Sequence, residues 1–326
     1  MYIFLFIVGG IFALGLGADI IVRNSINLAN IYKVSGYFIG FTVVALGTSL
    51  PELAATIQAL NVVESSEIAL GNIIGSNIAN ILLILGFVSV INPIIFSDKK
   101  GQKNQTLMVL ILTIIATSIF YFLYNNSNTD SMFFGILLII IFLLFLFVQY
   151  RNEILDETII SSNNNSSHIL SYIFIIIGLA LLYYGSKYFI IGSKQIAIYF
   201  NISESIIGLT LVAFGTSLPE LATGVVAALR KESNLAVGTI LGSNIYNIVG
   251  IFALIIFIQP LSITSSSTIL LNNIIIMTVI TFLFVYKVRF GLKLINILPF
   301  HLGRKSGFLF LILYLIYIFY NYKIIN

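Results

Sequence analysis

The sequence contains no cysteine, no tryptophan, five prolines and two histidines in 326 residues, and only 9% of it is charged. The missing thiols exclude disulfides, thiolate metal centres and cysteine nucleophiles. Neither histidine, His168 or His301, falls in an apolar run, and both read as solvated loop side chains. Soluble domains carry about 25% charged residues, so a chain this depleted cannot cover a surface in water. What is abundant is apolar: 59% of the residues are hydrophobic and the mean hydropathy is +1.07. The bilayer is therefore the expected solvent. The net charge of +4 is scattered over short loops, not gathered into the basic face that nucleic acid needs.

Apolar runs long enough to span recur about ten times, at 3–22, 34–60, 66–91, 104–124, 131–150, 169–191, 203–229, 235–258, 268–286 and 306–321. The first has no basic leader and no small-residue cleavage site, and reads as a membrane helix rather than a removable signal. Alternate polar breaks hold Arg23, Lys33, Lys99, Lys100, Lys103, Arg151, Arg230, Lys231, Lys287, Arg289, Lys293, Arg304 and Lys305, which is 13 of the 16 basic residues. The other breaks and the tail hold only Lys187, Lys194 and Lys323. Basic loops stay cytoplasmic, so both termini are expected outside. The Asn/Ser-rich stretch 151–168 reads as a cytoplasmic linker between halves 1–150 and 169–326. On that side of the membrane its Asn165-Ser166-Ser167 sequon carries no meaning.

The halves repeat. "GFTVVALGTSLPELAAT" (40–56) matches "GLTLVAFGTSLPELATG" (208–224) at 12 of 17 positions, and "GNIIGSNIANI" (71–81) matches "GTILGSNIYNI" (238–248) at 8 of 11. With five spans in each half, the second enters the membrane upside down. The expected fold is thus all-α and integral to the membrane, with about ten transmembrane helices in two inverted five-helix repeats. Such architectures belong to secondary transporters, with the site near the midplane where the repeats meet.

Glu52 and Glu220 stand deep in two of these runs, where a carboxylate costs about 2.5–3.5 kcal/mol on insertion scales. Two readings are open: a bound cation, or a protonated acid bonded to a neighbouring helix. A matched pair favours the cation. Pro51 and Pro219 donate no hydrogen bond, so each removes the helical partner of the carbonyl four residues back, at Gly47 and Gly215. Helices 2 and 7 are therefore expected to break. Carbonyls around Ala45–Thr48 and Ala213–Thr216, the hydroxyls of Thr48, Ser49, Thr216 and Ser217, and two carboxylates make an all-oxygen lining. Hard cations prefer such a lining, whereas zinc, copper or iron would want sulfur or histidine. Ser76 and Asn80 share one helical face, as do Ser243 and Asn247. Asn77 and Asn244 face elsewhere and are expected to hold the broken helices. The glycines of "GNIIG" and "GTILG" read as helix-packing positions.

These paired blocks resemble the alpha repeats of the sodium/calcium exchanger family. The resemblance covers the ten-span layout and is most specific at 40–86 and 208–252. It implies calcium-for-sodium antiport by alternating access, four central cation sites, no cofactor, and inorganic cations and lipid as partners. By resemblance, Glu52 and Glu220 chelate calcium, helped by the carbonyls of Thr48 and Thr216. Ala45, Ser49 and Ser76 would serve one flanking sodium site, and Ala213, Ser217 and Ser243 the other. Asn80 and Asn247 would line the middle site, where many family members carry an aspartate in place of Asn247. The expected setting is the plasma membrane, and a monomer suffices because the fold buries its own site. Calcium/proton antiport is the alternative reading and a passive channel a distant one. An enzyme is not expected: "GTSLP" lacks the second glycine of a nucleophile elbow, and no embedded histidine could activate Ser49 or Ser217.

Overall fold

Acyl chains offer no hydrogen bonds, so an apolar run in a membrane must satisfy its backbone within itself, as a helix does. The computed structural model describes residues 2–62, 66–96, 100–125, 131–154, 168–199, 213–258, 268–290 and 301–325. Among them nine helices are long and apolar enough to cross a membrane, and a shorter apolar helix covers Leu218–Leu229. The first part of the expected seventh span, 203–212, lies outside the described residues, as does most of the expected linker. The fold is all-α, a multi-pass membrane bundle of two inverted repeats. Its one described sheet pairs β1 (Ile94–Ile95) with β2 (His301–Leu302), antiparallel.

Helix α1 (Tyr2–Tyr32) runs well beyond residue 22. Asp19 and Arg23, one turn apart on it, form an ion pair at 2.8 Å, so the helix continues through residues expected in a loop. The second span is broken into α2 (Gly36–Ile39), a π-helical segment π1 (Gly40–Val44), α3 (Ala45–Thr48) and α4 (Leu50–Val62). The third joins α5 (Ser66–Ala79), π2 (Asn80–Ile84) and α6 (Leu85–Ile91). Helices α7 (Lys100–Asn125) and α8 (Ser131–Ile154) complete the first half.

The second half opens with α9 (His168–Tyr199), followed by α10 (Ala213–Thr216) and α11 (Leu218–Leu229). Then come α12 (Ser233–Ile245), π3 (Tyr246–Ile251) and α13 (Phe252–Ile258). It closes with α14 (Thr268–Phe290) and α15 (Arg304–Ile325). His168 opens α9 with its ring edge-on to Tyr32, and the main-chain oxygen of His301 accepts from Lys287 Nζ at 2.7 Å. Both histidines are thus built into elements rather than standing in free loops.

Burial locates the centre. In the spans Glu67–Ile91 and Ser233–Ile258, 83% of the most apolar stretch is buried, against 50% or less in the other seven. These two spans carry the "GSN" motifs. Helices α1 and α9 lie against each other in close approach: a Cβ on Gly17 would come within 2.8 Å of the Gly178 carbonyl, and one on Gly185 within 2.9 Å of the Leu14 nitrogen.

Among the described residues two polar ties join α1 to the second half; in one, Tyr172 of α9 donates to the Tyr32 hydroxyl at 3.1 Å. In the other, Arg230, the C-cap of α11, donates from Nε to Asp19 Oδ1 at 2.8 Å and also from Nη2. Both side chains remain about a third exposed, so the tie is weak. Arg230→Ala is expected to lower stability by less than about 1 kcal/mol, read as a small drop in melting temperature in detergent.

Candidate functional site

The two breaks have nearly the same backbone. Ser49 sits at φ −82°, ψ 0° and Ser217 at φ −87°, ψ 5°. Each is followed by a leucine and then the proline, in a first helical turn where its missing N–H costs nothing. Glu52 and Glu220 then lie in the first turns of α4 and α11. Helix N-termini favour negative charge. Pro51 and Pro219 converge on one apolar crevice of about 230 Å³, which Leu179, Tyr183 and Tyr184 of α9 also line.

Both glutamates are fully buried, and Glu52 lies within reach of the charge of Glu220. Among the described residues no lysine or arginine pairs with either; the ion pairs found are those of Asp19. The hydroxyls cross the repeat junction. Ser217, in the second repeat, donates to Glu52 Oε1 at 3.4 Å. Ser243 donates to Glu220 Oε1 at 2.8 Å, and its oxygen lies 2.6 Å from that of Ser49 in the first repeat. Through Ser243, Ser49 of the first repeat is thereby linked to the second-repeat carboxylate.

The second oxygen of each carboxylate has no partner among the described residues. The same holds for Ser76 Oγ, Asn80 Oδ1 and both side-chain polar atoms of Asn247. A buried polar atom without a partner costs about 1–3 kcal/mol. The free oxygens of the two carboxylates, whose partner oxygens are engaged by Ser217 and Ser243, are of the kind that suits a hard cation. No group of three or more His, Cys, Asp or Glu is found among the described residues, so any such cation must rely on neutral oxygens beside the two acids.

Asn80 Nδ2 donates to Asn244 Oδ1 at 2.9 Å, and Asn244 Nδ2 reaches the Asn77 carbonyl at 3.5 Å. Asn244 therefore ties α12 to α5 and π2, where the helices cross, and no hydrogen bond from it to the broken second and seventh spans is found among the described residues. The Asn77 side chain, buried at the same crossing, has no hydrogen bond among the described residues. The expected freeing of carbonyls is only partial. The Ala45 carbonyl still accepts the Ser49 N–H at 3.0 Å and Thr48 Oγ1 at 3.4 Å. The Gly215 carbonyl, deprived of its helical donor by Pro219, takes the Ser186 hydroxyl of α9 at 2.6 Å. Ala213 heads α10, beside Thr216.

The packing glycines divide unequally. A Cβ on Gly238 would lie 2.2 Å from the Tyr37 carbonyl, and one on Gly242 2.5 Å from that of Phe41. Gly71, the repeat counterpart of Gly238, has only Leu270 at 3.9 Å, so close approach does not explain it. Gly47 and Gly215 admit α9 instead: a Cβ there would meet Leu179 at 2.5 Å and Ile190 at 2.4 Å.

Three features escaped the sequence. One is the π-helical geometry at Asn80–Ile84 and Tyr246–Ile251, where a wider turn follows each "GSN" motif. Another is Asn72, which donates to the Glu52 carbonyl at 3.3 Å and accepts from Thr216 Oγ1 at 3.2 Å. Its position four residues before Ser76, on the same helical face, was the available signal. The third is Ser186, marked by the match of Gly185-Ser186 to Gly17-Ala18 at the same 168-residue offset as the glutamate motifs.

Comparison with known proteins places this geometry. The sodium/calcium exchanger protein family matches residues 2–151 and 170–323. An uncharacterized membrane protein of Methanocaldococcus jannaschii, MJ0091, is 35% identical over 94% of this chain and 95% of its own length. The sodium/calcium exchanger MaX1 of Methanosarcina acetivorans is 34% identical over 81% of this chain and 85% of its own. A structure of the sodium-calcium exchanger NCX_Mj, soaked with sodium and strontium, superposes with a TM-score of 0.81 at 33% identity, covering 98% of both chains.

Proposed function

The chain belongs to the sodium/calcium exchanger protein family, and from that premise we propose that it exchanges calcium for sodium by alternating access, extruding calcium on the inward sodium gradient. The chain is a membrane antiporter of cations. The observation that carries the calcium-for-sodium reading is the pair of buried carboxylates, each with one oxygen engaged and one without a partner among the described residues.

In this reading Glu52 and Glu220 hold calcium with the carbonyls of Thr48 and Thr216. Calcium takes 6–8 oxygens at about 2.3–2.6 Å, which two carboxylates and several neutral oxygens can supply. Ala45, Ser49 and Ser76 serve sodium on one flank, and Ala213, Ser217 and Ser243 on the other. Asn80 and Asn247 line the middle. The ligands are shared, so calcium and sodium compete for them. An occupied site neutralises the buried charge and lets the bundle rearrange; an empty, doubly negative site resists passage. Exchange is thereby favoured over leak.

The repeats occupy 1–150 and 169–326, joined by 151–168. The protein works as a monomer in the plasma membrane with both termini outside, as the basic loops require. No cofactor enters the scheme; the cations are cargo.

Proton coupling is the second reading. It is favoured by Asn247, which leaves the middle of the site with amides alone, so that the two glutamates are its sole formal charges among the residues named for it. A relative from Alkalimonas amylolytica, 29% identical over 78% of this chain, is named putative antiporter CaxA. The test is calcium uptake into vesicles bearing the purified protein, with sodium, proton and potassium gradients imposed singly. Uptake should follow an outward sodium gradient and not a pH gradient alone. Uptake on the pH gradient without sodium would replace sodium with protons as the coupling ion.

A further inference from the structure

The two helix breaks share their backbone but not their supports. At the second break two consecutive residues are held by side chains from elsewhere in the bundle. Ser186 of α9 donates to the Gly215 carbonyl at 2.6 Å. Asn72 of α5 accepts from Thr216 Oγ1 at 3.2 Å, while its Nδ2 reaches the Glu52 carbonyl at 3.3 Å and Thr56 Oγ1 at 3.5 Å. One amide thus spans the first-repeat glutamate helix and the second-repeat break.

The repeat itself provides the comparison. Subtracting 168 from Ser186 gives Ala18, which has no hydroxyl to offer Gly47. Adding 167 to Asn72 gives Thr239, whose Oγ1 turns back to its own helix at the Leu235 carbonyl, 2.9 Å away. The flank formed by Gly215 and Thr216 is braced from two helices by side chains whose counterparts do not brace Gly47 and Thr48. Ser186 is also buried, so its short hydrogen bond is shielded from competing water.

We propose that Asn72 and Ser186 are positioning residues that brace the second helix break, holding the Gly215 and Thr216 carbonyls in register with Glu52 and so setting cation affinity on that side of the site. Neither residue is a ligand in this scheme. They work through the backbone they hold, which must lie close to its productive geometry before a cation arrives. Without the brace the ordering cost falls on binding itself, and affinity drops. The inference rests on the exchanger reading and adds to it an asymmetry between flanks that the repeats alone do not imply.

The experiment compares wild type, Asn72→Ala, Ser186→Ala and Thr239→Val in vesicles with an outward sodium gradient, following radioactive calcium. Each brace contributes about one hydrogen bond, worth roughly 3- to 10-fold in affinity. Asn72→Ala and Ser186→Ala should therefore raise the half-saturating concentrations of calcium and sodium by about that factor, with maximal rate changed less. Thr239→Val should leave both unchanged. A second readout is the rise in melting temperature that saturating calcium produces in detergent. It should shrink in the two brace variants, each shift being measured from that variant's own ion-free melting temperature. If Asn72→Ala does not fold, Asn72→Leu, closer in volume, takes its place.

Brace variants with wild-type half-saturation and wild-type thermal shift would overturn the inference and leave the exchanger reading intact. So would an equal loss in Thr239→Val, which would make the effect one of helix packing. A wild type that takes up no calcium on a sodium gradient would instead overturn the exchanger reading. The thermal shift would then still decide the brace, and a wild type that neither exchanges nor binds calcium would bring both down.

Discussion

Glu52→Gln and Glu220→Gln each reduce sodium-driven calcium uptake to the background of empty vesicles. The amide matches the carboxylate in shape, and Ser217 and Ser243 still find an oxygen to donate to. The substitution therefore removes charge while leaving the packing nearly intact. A calcium ion would meet one negative charge in place of two, in a site where no lysine or arginine among the described residues sits against either acid. Uncompensating one charge in a buried pair costs about 3–5 kcal/mol, which corresponds to roughly 100-fold or more in affinity. Both variants should fold, and their ion-free melting should equal or exceed that of the wild type, because each removes a repulsion between two buried carboxylates. Full uptake by either would show that calcium does not bridge the two repeats.

The second large effect is structural. Gly238→Val is expected to yield little folded protein and no uptake. The new Cβ would stand 2.2 Å from the Tyr37 carbonyl and 3.0 Å from the Phe41 nitrogen. Both neighbours are backbone, so no rotamer relieves the clash and α12 must move away from α2. Overpacking a core costs about 1–3 kcal/mol even when side chains can adjust. Here the displacement also opens the 2.6 Å contact between Ser49 and Ser243, five residues along the same helix. Gly71→Ala is the control, since its Cβ meets only Leu270 at 3.9 Å. It should fold and transport within about 0.5 kcal/mol of wild-type stability. Equal damage at both positions would mean that these glycines serve something other than the α12–α2 approach.

That contrast also marks what could be read in the chain. "GNIIG" and "GTILG" look alike, and only the crossing of α12 over α2 separates them. The breaks at Ser49 and Ser217 were legible because a proline removes a specific N–H, wherever the helix lies. The partners of Asn244 were not legible, because its face can be read from the sequence but its neighbour cannot. Asn244 meets Asn80 and the Asn77 carbonyl across the α5–α12 crossing. Ser186 and Asn72 went unnoticed for the same reason: each hydrogen-bonds a residue dozens or more positions away.

Taken alone, the sequence determined that the chain lives in a bilayer, that it is built twice, and that each half places one carboxylate just after a break. Those features follow from composition, period and the missing proline donor, all of which act locally along the chain. Only the tertiary structure decided which hydroxyl serves which carboxylate, which carbonyls stay engaged, and why equivalent glycines differ. These depend on distances between helices, and such distances arise from how side chains pack in three dimensions.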